Sequence, residues 1–127
     1  MNRSAFRFAL RYALLGVAIW AAATIALRVI GQAVFDHPGW LFAVSLVSMV
    51  VLAAVVFRNL AEAGERARAA IALATPGMLL DSMSALAFPV VFPNIRADAA
   101  GLFGGWLLFC NAVVLLAAVS MGRRTGT

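Results

Sequence analysis

The chain has 127 residues, 65% of them hydrophobic and only 12% charged, with a formal net charge of +5; its mean hydropathy is +1.00. A soluble domain is about half apolar and roughly a quarter charged, so this chain has too little polar material to cover a water-facing surface. Its low charge density and high hydrophobicity also exclude a disordered chain. The composition is that of an integral membrane protein.

Four apolar stretches are long enough to cross a hydrocarbon core, which takes about 20 residues of helix. They occupy residues 12–35, 40–57, 70–92 and 99–121. Asp36-His37-Pro38-Gly39 reads as a tight polar turn between the first two, and Pro93-Asn94 starts another. Asp98 stands just ahead of the fourth stretch, where it can cap free amide groups. Residues 58–69 read as the one real loop. The runs are continuous, not alternating, which excludes a closed β-barrel. The expected fold is all-α: an integral membrane four-helix bundle of two helical hairpins, forming one domain over residues 1–127.

All ten basic residues are arginine. In a soluble protein a pI near 11.4 would suggest nucleic acid; in a membrane protein the excess sets orientation, so the expected partner is the lipid bilayer and no nucleic acid. Arg3, Arg7, Arg11, Arg58, Arg66, Arg68, Arg123 and Arg124 flank the spans on one side, against Arg96 with Asp36 and Asp98 on the other. Both termini are therefore expected in the cytoplasm. Arginines followed by an apolar run and Ala21-Ala22-Ala23 also resemble a cleavable signal peptide, but the apolar stretch continues through Phe35, which favours an anchor.

Ionisable residues inside a membrane span are costly and therefore informative. Arg28 lies about 24 Å into the first span and Asp81 about 16 Å into the third, at 1.5 Å per residue. Their opposite signs suggest an Arg28–Asp81 pair. Gln32 continues the Arg28 face of the first span, Ser84 shares a face with Asp81, and Asn111 lies near mid-height in the fourth span. Two readings of this layer stand side by side. It is either structural, with polar side chains joining the helices, or Asp81 sits in a cavity and holds a proton or cation.

Pro76-Gly77 precedes Asp81 and Pro89 follows it, predicting kinks near Pro76 and Pro89. Gly101 and Gly105 have the small-xxx-small spacing that lets helices approach, within the bundle or between protomers. Trp40, Tyr12, Trp106 and Phe92 fall near span ends, where aromatic rings favour the interface, whereas Trp20 is deeper and packs between helices.

Enzymatic chemistry is not expected. One histidine, His37, cannot supply a metal or haem ligand set, and Cys110 lies alone in mid-span, away from it. No phosphate-binding glycine loop, H-E-x-x-H motif or pair of catalytic carboxylates is present. No cofactor is expected.

The stretch Thr24-Ile25-Ala26-Leu27-Arg28-Val29-Ile30-Gly31-Gln32, together with Thr75-Pro76-Gly77-Met78-Leu79-Leu80-Asp81 and the later Val91-Phe92-Pro93-Asn94, resembles the signature segments of a family of small bacterial four-span membrane proteins catalogued as a domain of unknown function. Ala100-Gly101-Leu102-Phe103-Gly104 resembles the start of that family's fourth span. The resemblance implies the four-span fold, the bacterial inner membrane, and shared positions at Arg28, Gln32, Pro76, Gly77, Asp81, Pro93 and Asn94. It brings no activity, substrate or cofactor. The expectation is a four-helix membrane protein centred on an Arg28–Asp81 polar layer. The alternatives are a small proton- or cation-coupled transporter or channel subunit using Asp81, as a homo-oligomer, or an accessory subunit of a larger membrane complex.

Overall fold

In the computed structural model, which describes residues 2–121, the first helix starts well ahead of the apolar stretch. Asn2 is its N-cap: the side-chain oxygen accepts from the Ala5 amide at 2.8 Å and from the Ser4 hydroxyl at 3.0 Å. Helix α1 then runs Arg3–Ile30, about 42 Å at 1.5 Å per residue. It stops at Gly31, whose φ of 76° lies where a side chain is strained, and a short 3-10 turn, Gly31–Phe35, completes the first apolar stretch.

Helix α2 spans Pro38–Phe57, with proline in its first turn, where a missing N–H costs nothing. Helix α3 spans Ala63–Leu86, the four-residue α4 spans Phe88–Val91, a 3-10 turn covers Ala97–Ala99, and α5 spans Ala100–Ser120. The described residues contain no strand. Four helical stretches are long and apolar enough to cross a membrane.

The packing order differs from the chain order. Helix α1 packs chiefly on α3, α3 on α5, and α5 on α2, while the sequential pair α1 and α2 is not a principal contact, although the Tyr12 ring lies beside Phe57. The α1–α3 crossing is closest at Gly16, where a Cβ would drive into the backbone carbonyl of Leu73. Two apolar clusters fill the bundle. At the end carrying the inter-span turns, Leu27, Phe35, Phe88, Phe92, Ile95 and Phe103 pack together, the Phe88, Phe92 and Phe103 rings lying 5.2–5.5 Å apart. At the end carrying the termini, Ala53, Phe57, Ala69, Ala70, Leu73, Val114 and Ala118 form the second.

Large apolar side chains face outward, with Leu86 90%, Val90 79% and Val29 78% exposed. Such surfaces suit hydrocarbon and would associate in water.

Several expectations are corrected. Residues 63–69 are helix, not loop, because the Arg66 side chain folds inward and Ala69 and Ala70 are buried. By contrast, nothing contradicts the expected kinks: Pro76 stands inside α3, and the helix breaks at Ala87, two residues before Pro89, which occupies the first turn of α4 as a proline can. Asp98 does not cap α5; it pairs with Arg96 at 3.2 Å, both side chains being over 70% exposed. Gly101 and Gly105 do not pack within the chain, since a Cβ at either would meet nothing within 4 Å. Phe92 is fully buried, and Trp106 turns inward, donating to the Ser45 hydroxyl at 2.7 Å. The arginines at 123 and 124 lie outside the described residues.

Candidate functional site

The two apolar clusters leave a cavity of about 140 Å³ between them, lined by all four long helices. Leu27 and Phe103 line it towards the turns, and Leu73 and Val114 line it towards the termini. Its volume is close to the roughly 150 Å³ of an engineered cavity that binds benzene. The walls are mostly apolar, with polar exceptions contributed by separate helices: Thr24 and Trp20 from α1, Asp81 from α3, and Cys110 and Asn111 from α5.

Asp81 reaches this cavity because Leu73, Ala74, Gly77 and Asp81 follow the helical period along one face of α3. The Trp20 indole is its neighbour across the α1–α3 interface. The Trp20 Nε1 donor is buried yet finds no acceptor at hydrogen-bonding geometry. Gly77 lies beside this residue: a Cβ there would be in ordinary contact, 3.9 Å from Trp20 Cβ.

The expected Arg28–Asp81 pair is not formed. Arg28 is exposed at the last turn of α1, while Asp81 lines the cavity. The sole ion pair among the described residues is Arg96–Asp98. Of the five residues expected in one polar layer, only Asp81 and Asn111 line the cavity. The Asn111 amide donates to the Leu107 carbonyl of its own helix at 2.8 Å, leaving its oxygen available. Ser84 is buried on α3 outside the cavity lining.

Arg28 and Gln32 belong instead to a latch at the turn end. Asn94 Nδ2 donates to the Arg28 carbonyl at 2.6 Å and, at 3.4 Å, to the Leu27 carbonyl, which also accepts from the Gly31 amide at the helix end. Gln32 Oε1 accepts from the Arg96 amide at 2.8 Å, and its Nε2 donates to Asp36 at 3.3 Å. Gly31 lies directly beneath Asn94, whose amide nitrogen would be 3.0 Å from an added Cβ. The Arg-Val-Ile-Gly-Gln and Pro-Asn segments are thus two halves of one joint.

Arg66 was legible only as a flanking charge, yet it is 3% exposed. Its Nε donates to the Ala118 carbonyl near the end of α5 at 3.0 Å, and its Nη1 donates to Leu60 and Ala61 at 2.7 Å each. A cation among the carbonyls at helix C-terminal ends is favoured by their dipoles. Arginine at the start of a helix, followed three residues later by Ala-Ala, carries no sequence signal for this role.

A family model described as a family of unknown function (DUF5367) matches residues 30–125, and the chain belongs to that family. No curated protein and no solved structure matches it.

Proposed function

We propose that the protein is a non-enzymatic membrane protein that holds a small cation in its central cavity, with Asp81 as the counter-charge. The observation that carries this reading is a carboxylate facing a mostly apolar cavity, with no cationic partner among the described residues. An intramembrane acid facing a cavity commonly marks an ion path or proton relay. The cavity volume suits a proton carrier or a cation of a few non-hydrogen atoms. Phe103, Trp20 and Trp106 add aromatic faces, which attract a desolvated cation.

The two apolar clusters flank the cavity along the bundle axis, so this reading describes a binding site and not a continuous pore. A through-path requires a rearrangement, a second copy or a larger membrane complex. In the same proposal the chain lies in the bacterial inner membrane with both termini cytoplasmic, supported by the arginine asymmetry along the sequence.

The test uses proteoliposomes, following tetramethylammonium uptake and internal acidification in parallel. The expected result is flux of at least one ion above that of empty liposomes, lost in Asp81→Asn and kept in Arg28→Gln. A flux indifferent to Asp81→Asn, or no flux of either ion, counts against the reading.

A further inference from the structure

A second concave surface lies outside the bundle, between the first three turns of α1 and the first half of α3. Its wall on α3 runs from Glu65 to Pro76, a rise of about 16 Å along the helix. That length compares with one leaflet of a bilayer whose hydrocarbon core is roughly 30 Å thick. The deeper part, with Ala13, Ile71, Ala72 and Pro76, is mostly apolar, its Thr75 hydroxyl donating to the Ile71 carbonyl, and the polar groups Asn2, Glu65 and Arg68 lie among Phe6, Phe8 and Leu10 towards the end that carries the termini.

The level of the membrane boundary follows from the helix crossing. Gly16 abuts Leu73, and α1 and α3 run in parallel, so Arg11 and Arg68, each five residues earlier, stand at the same height. Two exposed arginines at one level mark the headgroup layer, and the apolar part of the groove lies below them.

Glu65 and Arg68 are three residues apart on one helix, where side chains are neighbours at about 5–6 Å between Cβ atoms. They nevertheless form no ion pair, and Glu65 is half-buried. A carboxylate beside a guanidinium, neither ion-paired among the described residues and both set over an apolar groove, is the complement of a ligand with an ammonium and a phosphate on a short bridge above an acyl chain.

We infer that this groove binds one phospholipid with a primary-amine zwitterionic headgroup, of the phosphatidylethanolamine class. Arg68 holds the phosphate, Glu65 accepts from the ammonium, and one acyl chain lies along Ile71 and Ala72. Phosphatidylcholine keeps the charge but has no N–H to donate to Glu65, and phosphatidylglycerol has no cation at all.

Delipidated protein in detergent is titrated with each of these three lipids, and bound lipid is counted by native mass spectrometry beside the shift in thermal unfolding. The expected result is one phosphatidylethanolamine per chain, retained about tenfold better than the other two, as one charge-assisted contact implies. Glu65→Gln should bring phosphatidylethanolamine down to the level of phosphatidylcholine. Arg68→Gln should weaken all three lipids, and Ala72→Phe should displace the chain. Soluble phosphoethanolamine should have no effect. Equal retention of the three lipids, a preference that survives Glu65→Gln, or binding of phosphoethanolamine as tight as that of the lipid would each overturn the assignment.

Discussion

The side-chain amide of Asn94 donates to the backbone carbonyl of Arg28 at 2.6 Å, joining residues 66 positions apart in the chain. The bond ties the open end of α1 to the loop ahead of α5, and Gly31 is the residue that lets the two backbones come this close. Arg28 therefore contributes to this joint through its backbone, while its guanidinium is exposed.

Asn94→Ala removes the donor from two helix-end carbonyls and should lower stability by about 1–3 kcal/mol. Thermal unfolding in detergent measures it. An unchanged midpoint would mean that lipid or water satisfies those carbonyls equally well.

The absence of an Arg28–Asp81 contact makes a sharp double-mutant prediction. Arg28→Gln alone should fall within about 0.5 kcal/mol of the parent, and the coupling energy between Arg28→Gln and Asp81→Asn should be near zero. A coupling above about 1 kcal/mol would show that the two charges meet in the membrane after all.

Two glycine substitutions should have opposite outcomes. Gly16→Ala forces a Cβ into the Leu73 carbonyl, so α1 and α3 must separate, at a cost of about 1–3 kcal/mol. Gly101→Ala meets open space and should be neutral or stabilise by up to about 1 kcal/mol through helix propensity. If Gly101→Ala instead shifts the oligomer distribution in size-exclusion chromatography, the exposed α5 face is a contact between copies.

Arg66→Lys keeps the charge but loses the forked geometry that serves three carbonyls. It should destabilise by about 1–3 kcal/mol, and Arg66→Ala by more, because both leave buried acceptors without donors. Arg58→Lys, at an exposed site ahead of the same helix, is the control and should not move the unfolding midpoint.

Sequence alone determined four stretches long and apolar enough to cross a membrane, because length and continuous hydrophobicity are properties of local segments and need no partner to be read. It also singled out Asp81, since a carboxylate within an apolar helix is expensive wherever it faces. The direction each polar side chain takes was decided by the tertiary structure. Helical spacing places Arg28 and Gln32 on one stripe, but whether that stripe meets Asp81 depends on how α1 rotates against α3, and the Gly16–Leu73 crossing and the Asn94 joint set that rotation. Helix order in the bundle, with α1 beside α3 and not α2, has no local signature either. Arg66 shows the same limit from the other side: its role rests on carbonyls from Leu60, Ala61 and Ala118. A backbone carbonyl is present at every residue, so only the way the helix ends converge reveals which of them an arginine will meet.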